Sequence, residues 1–296
     1  MLFDRQRQLL AVLDVVGGSA GNLDFQKLLF LYCQESGLDS PYEFVPYKFG
    51  AFSFTSYADR RKLIERGFLA DDEHHWRLTE KGRQVTTGVQ NLHFPTFVRQ
   101  LPRIRGDALV AETYRRFPYY ATRSEIAERV LRGDRAAIDR IDAARPAANS
   151  TAISTIGYEG RSLEGYLNEL YRSSITILCD VRRNPISRKY GFSKNTLAKG
   201  CEGVGIQYEH LPELGIASDQ RRGLDTKADY DALFAEYVRS SLPSQPEALA
   251  KIARWASVGS RVALTCYELD PQDCHRHCVA DALELQFGKR LIARHL

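Results

Sequence analysis

The stretch Ile177-Leu178-Cys179-Asp180-Val181-Arg182-Arg183-Asn184-Pro185-Ile186-Ser187-Arg188-Lys189-Tyr190-Gly191-Phe192 decides how this chain is read. An aliphatic run breaks abruptly into a carboxylate and then into clustered cations. Such a run, ending in Asp and a Pro-bearing loop, reads as a buried strand with function at its carboxyl end, because open α/β sheets bind ligands beyond the carboxyl ends of their strands.

Outward from that loop, the second half alternates strand-like and helix-like segments, which predicts a parallel or mixed sheet with helices on its faces. Strands are expected over 152–156, 176–179, 206–210 and 261–266, and helices after Ser162, after Ser193, over 228–239, over 245–257 and from Cys274 onward. The strand ends deliver Tyr158 and Glu159, Asp180 and Arg182, Glu213 beyond His210, and Tyr267 and Glu268 toward one edge.

The first half has a different texture. Leu9, Leu10, Leu13 and Val16 recur at helical spacing before Gly17-Gly18, a second helix runs from Asn22 to about Gly37, and a third from Ser56 to Arg66. Gly67-Phe68-Leu69, an acidic turn at Asp71-Asp72-Glu73, and His75-Trp76-Arg77-Leu78 then make a hairpin. Three helices followed by a hairpin resemble a winged helix, which implies either DNA contact through Arg60, Arg61, Lys62 and Arg66 or a dimerisation module on the same scaffold.

From Arg99 to Arg145 arginine is abundant and interleaved with Tyr114, Phe117, Tyr119 and Tyr120, and Thr122 with Glu125 has capping-box spacing for a helix through Val130. These cations either grip phosphates or pair with Glu112, Glu125, Glu128, Asp134 and Asp139 on solvated helical faces, and pairing is the stronger expectation for any single arginine. Ala143-Ala144-Arg145-Pro146-Ala147-Ala148-Asn149-Ser150 has linker chemistry. It divides a winged-helix-like, Arg-rich helical domain over 1–148 from an α/β domain over 149–296.

Composition narrows the classes. A length of 296 residues suits two domains with separate cores, and a charged fraction of 26% is that of ordinary folded proteins rather than disordered ones. No apolar run approaches the roughly 20 residues of a membrane span, and Met1-Leu2-Phe3-Asp4-Arg5 lacks a signal-peptide layout, so a cytoplasmic protein with no membrane partner is expected. Six scattered cysteines would remain thiols there. A net charge of +4 permits a nucleic-acid partner without requiring one.

Thr155-Ile156-Gly157-Tyr158-Glu159-Gly160, Asp180-Val181-Arg182 with Pro185-Ile186-Ser187-Arg188 and Gly191-Phe192-Ser193, His210-Leu211-Pro212-Glu213-Leu214-Gly215, and Cys266-Tyr267-Glu268 with Cys274-His275-Arg276 carry a resemblance in order and spacing. Together they resemble domain-of-unknown-function family 488, over nearly the whole second half. The winged-helix-like first half is similar to the extension of longer members.

That resemblance implies a fold and no chemistry. The chain lacks a Gly-x-x-x-x-Gly-Lys-Ser/Thr phosphate loop, a Gly-x-Gly-x-x-Gly fingerprint and a Gly-x-Ser-x-Gly elbow. Zinc on Cys274, His275, His277 and Cys278 is the metal alternative, set against thiols that pack as small hydrophobes. The reading adopted is a site with no metal and no cofactor. Asp180, Glu213, Glu268 and His275 are its candidate catalytic groups, and Tyr158, Glu159, Arg182, Arg188, Tyr190, Phe192, Tyr267 and Arg276 its substrate-binding groups. Arg60, Arg61, Arg183 and Lys189 are expected on DNA.

Carboxylates to orient water, aromatics to sleeve a base and arginines for flanking phosphates are the parts that hydrolysis of an N-glycosidic bond requires. The leading expectation is a DNA glycosylase-like hydrolase that flips out a modified nucleobase, in defence against foreign or phage DNA. Each group has a plainer reading: Asp180 as the ion-pair partner of Arg182 or Arg276, Glu213 as a local cap, His275 as a satisfied structural group, the tyrosines as core. The alternative function is a winged-helix DNA-binding regulator or antitoxin-like protein whose α/β half senses a nucleotide or nucleoside, with a homodimer compatible with either.

Overall fold

A computed structural model describes residues 1–36, 40–86, 97, 103–147, 150–217, 219–220, 223–288 and 291–296. Gly37, Arg99 and the linker residues 148 and 149 lie outside the described residues. The chain forms two compact units, Met1–Arg145 and Pro146–Leu296.

In the first unit, α1 (Asp4–Val15), β1 (Ser19–Gly21), α2 (Asn22–Ser36), a hairpin of β2 (Val45–Tyr47) and β3 (Gly50–Phe52), α3 (Phe54–Glu65) and β4 (His75–Arg77) follow in order. β1 pairs antiparallel with β4, and Leu69 bridges Leu78. This order resembles a winged helix with an inserted β2–β3 hairpin. Ser53 caps α3 by accepting from the Ser56 amide at 3.2 Å. Leu9, Leu13, Phe25, Leu29, Leu63 and Trp76 pack the core. The wing is held by Arg60, which donates to the carbonyls of Asp72 and His75 and lies over Trp76.

After α4 (Glu80–Gln84) come α5 (Asp107–Arg116), a 3₁₀ turn over Pro118–Ala121, α6 (Ala127–Val130) and α7 (Arg135–Ala143). A continuous helix from Thr122 does not form. The Thr122 hydroxyl donates back to the Tyr119 carbonyl at 2.7 Å and closes the turn that Pro118 starts, and Ser124 accepts from the Ile126 amide instead. Arginine pairing is local: Arg115 with Asp134, Arg129 with Asp107, Arg135 with Asp139 and Arg145 with Asp142.

The second unit is an open sheet of five parallel strands: β5 (Ile153–Gly157), β6 (Ile177–Asp180), β7 (Gln207–His210), β8 (Val262–Cys266) and β9 (Ala293–His295), in the order β7-β6-β8-β5-β9. The three central strands are buried at every position, as strands covered on both faces must be, while β7 is partly exposed at its edge. The parallel connections from β5 to β6 and from β6 to β7 carry α8 (Leu163–Arg172) and α9 (Lys194–Gly203) to one face. α10 (Lys227–Glu236), α11 (Pro246–Ser257) and α12 (Arg276–Phe287) go to the other.

β8 therefore lies between two strands, β5 and β6, whose connections leave for the opposite face from its own. Such sheets bind ligands beyond the carboxyl ends of their strands, and there the loops after β5 and β8 close on each other, with the Tyr158 and Glu159 amides donating to the Tyr267 carbonyl at 3.0 and 2.9 Å. Ile177, Cys179, Val262 and Leu264 alternate toward α11 and α12, and Leu178 and Asp180 toward α8 and α9. Among the described residues, no helix is long and apolar enough to cross a membrane.

Candidate functional site

Asp180 ends β6 with no exposed surface, and its carboxylate is filled. Oδ1 accepts from the Arg182 amide at 3.1 Å and Nε at 2.8 Å; Oδ2 accepts from Arg182 Nη2 at 2.6 Å and the Tyr208 hydroxyl at 2.6 Å. Arg182 spends its remaining donor Nη1 on the Tyr158 hydroxyl and the Phe192 carbonyl, both at 2.9 Å. Burial works to lower the Arg182 pKa, but the hydrogen bond and charge of Asp180 outweigh it and raise it. Burial and the Asp180 charge also push the Tyr208 phenol up.

A two-toothed ion pair between residues i and i+2 thus ties the end of β6 to β7, to β5 and to the loop ending at Phe192. Asp180 is an anchor as placed, with all four acceptor directions used inside the protein. Arg182 has the same role from the other side of the pair.

His210 extends the anchor. Lys194 has donors alone, so His210 Nδ1 must accept from it at 3.2 Å, and Nε2 then donates to the Arg182 carbonyl at 2.9 Å. Tyr208, His210 and Lys194 were not among the candidates. The alternation of Gln207-Tyr208-Glu209-His210 does place Tyr208 and His210 on one face, and β7 pairs in register with β6 to bring Tyr208 opposite Leu178.

Aromatic groups divide into wall and rim. Tyr158 and Phe192 are buried and stack with centroids 4.4 Å apart and an interplanar angle of 8°, and Tyr166 meets Phe192 edge-on. They line the interior. Tyr267 meets Tyr158 edge-on at 5.3 Å with 45% of its own surface exposed, and Tyr190 is 39% exposed.

Beside this rim, Lys189 Nζ donates to the Tyr158 carbonyl at 3.0 Å, and Glu159 accepts from the Leu269 amide at 3.0 Å while remaining exposed. Partial burial lowers the Lys189 pKa, opposed by the nearby Glu159 charge. Arg183 and Arg188 are exposed on the same loop.

Other candidates are placed differently. Arg276 is buried and clamps the carbonyls of Glu268 at 2.6 Å and Leu269 at 2.9 Å, fixing the turn after β8. Gly157 is required beneath that turn, since a Cβ there would stand 1.8 Å from the Glu268 carbonyl oxygen. Glu268 is half-buried. Glu213 sits on the 3₁₀ turn Pro212–Leu214, beyond Arg183, with no hydrogen-bond or ion-pair partner among the described residues. His275 is fully buried on the α11 and α12 face, donating from Nε2 to the Val181 carbonyl at 3.0 Å, so it does not face the rim.

In the first unit, Arg60 is occupied by the wing carbonyls, whereas Arg61 is exposed on α3. The four residues weighed as a zinc set separate: Cys274 and His275 gather with Cys266, while His277 Nε2 lies 3.3 Å from Cys278 Sγ. Cavities of 560 Å³ against α12 and 790 Å³ against α11 lie away from this edge.

Residues 162–283, running from the start of α8 into α12, match the family model described as Domain of unknown function DUF488. The C-terminal half carries a DUF488 domain. The anchor, the rim loop and the Arg276 clamp all fall within the match, and Tyr158 and Glu159 stand just before it. No curated protein and no solved structure matches the chain.

Proposed function

We propose that the DUF488 domain is a nucleic-acid-directed hydrolase that takes an extruded nucleobase at the rim between β5, β6 and β8 and cleaves its N-glycosidic bond. The observation that carries this reading is the company kept by Glu159: an exposed carboxylate with the exposed Tyr267 ring and the Lys189 ammonium at one strand edge. Tyr267 and Tyr190 supply faces for a flat ring, and Arg183, Arg188 and Lys189 supply charge for the flanking phosphates.

Because Asp180 is saturated, the working carboxylate is assigned to Glu159. Its second oxygen orients water toward the sugar carbon. As the carbon–nitrogen bond breaks, the base leaves with the bonding pair, water oxygen bonds to the carbon, and the water proton passes to Glu159 and on to the base. Asp180 and Arg182 hold the strand ends at fixed spacing. Defence against DNA with altered bases, within a reducing cytoplasm, is the setting this chemistry suits.

Incubation of the full chain with DNAs of ordinary and modified base composition, followed by alkali, tests the reading. Alkali-labile breaks that are lost in Glu159→Gln are expected. Breaks from no DNA, or breaks unchanged in Glu159→Gln, contradict it.

The saturation of Asp180 favours a second reading, a non-catalytic domain that senses a nucleotide or nucleoside for a DNA-binding regulator. Sequence-specific footprints without product would select it.

A further inference from the structure

We propose that Cys266, Cys274 and His275 form a three-ligand zinc site on the α11 and α12 face of the DUF488 domain. Cys266 ends β8, and Cys274 and His275 stand at the head of α12, so the ligands come from two elements that the fold brings together. All three are buried, and their ligand atoms lie within 4.8 Å of one another.

His275 Nδ1 is 3.7 Å from Cys266 Sγ and 3.9 Å from Cys274 Sγ. With Zn–S about 2.3 Å and Zn–N about 2.0 Å, a tetrahedral ion spaces sulfur and nitrogen ligands by roughly 3.5 Å, so both nitrogen–sulfur distances stand within a few tenths of an ångström of that spacing.

The histidine tautomer points the same way. Val181 O can only accept, so the Nε2 atom 3.0 Å from it carries the ring proton, and in the neutral ring Nδ1 presents its lone pair toward the two sulfurs. A ligand histidine that donates its other N–H to a backbone carbonyl is the usual outer-shell arrangement around a metal.

Charge and softness select the ion. Two thiolates neutralise a divalent cation, and sulfur with imidazole favours zinc over magnesium or calcium. Three protein ligands leave a fourth position for water or another group. Since His275 holds the carbonyl of Val181, next to Arg182, zinc would brace the Asp180–Arg182 anchor from the opposite face of the sheet.

The proposal is independent of the glycosidic reading and is tested without any activity. The full chain, purified under reducing conditions and dialysed against chelator, is loaded with Zn²⁺ or Co²⁺, gel-filtered and analysed for metal per chain and for absorption. One metal per chain and a sulfur-to-cobalt charge-transfer band are expected. Cys266→Ser and His275→Gln should each weaken binding about tenfold or more. Cys278→Ser, which alters the neighbouring His277 pair instead, should leave it unchanged.

Should the variants fail to fold, the wild-type cobalt spectrum decides, because the band requires a thiolate on the metal. Absence of bound metal and of that band overturns the proposal. So does a loss in Cys278→Ser equal to that in Cys266→Ser, or a Cys266–Cys274 disulfide in the metal-treated protein.

Discussion

Asp180→Asn keeps the shape of the anchor and removes its charge. Arg182 would then remain 6% exposed, still tied to Tyr158 and Phe192, with its counter-charge gone and one carboxylate oxygen replaced by an amide that cannot accept from Nη2 or Tyr208. Breaking one side of a buried pair costs about 3–5 kcal/mol, against about 5–15 kcal/mol for a whole domain. Asp180→Asn should therefore leave the second unit marginally folded. Asp180→Asn combined with Arg182→Met removes both charges and should recover most of the loss.

The chain has two tryptophans, Trp76 in the first unit and Trp255 in the second. Urea unfolding in a Trp76→Phe background thus reads the second unit through Trp255. A loss below about 1 kcal/mol in the single variant, or a double variant no more stable than the single, would refute the anchoring role.

Lys27 gives a pH test of the first unit. It is buried with Nζ on the Ala51 carbonyl at 2.9 Å, and burial lowers its pKa from 10.5 to about 7. The unfolded lysine keeps its proton up to the higher value, so between them the unfolded state binds more protons and stability rises with pH. Lys27→Met should flatten that rise and stabilise the unit near neutral pH, with about 5 kcal/mol as the ceiling at about 1.4 per pKa unit. Thermal unfolding at two pH values reads it, and parallel pH dependence in both proteins would contradict it. Arg276→Met frees the carbonyls of Glu268 and Leu269 and should speed hydrogen exchange across 267–273, with Arg276→Lys intermediate; unchanged protection would show that the turn holds without the clamp.

The main lines of the fold were legible because β5, β6 and β8 are continuous buried runs and the amphipathic helices between them keep a clear period. β1 and β9 were missed because runs of three residues show little alternation, whereas the equally short β4 was marked by the acidic turn before it. At the site, chain order marked the strand ends correctly but not which groups would be consumed there. Asp180 reads as available until Tyr208 arrives from β7 and Arg182 folds back on it, contacts set by register. The cysteine cluster failed for a local reason. Residues 275 and 277 are about 200° apart around a helix, so proximity in sequence turned His277 away while β8 supplied Cys266.

Release of free base is the most direct test of the central claim. The full chain is incubated in excess over a panel of duplex and single-stranded DNAs with ordinary and modified bases, and the small-molecule fraction is read by mass spectrometry. One intact nucleobase released per abasic site formed is expected, abolished by Glu159→Gln and weakened by Tyr267→Ala. Abasic-site formation without free base, or no base released from any DNA in the panel, would contradict it.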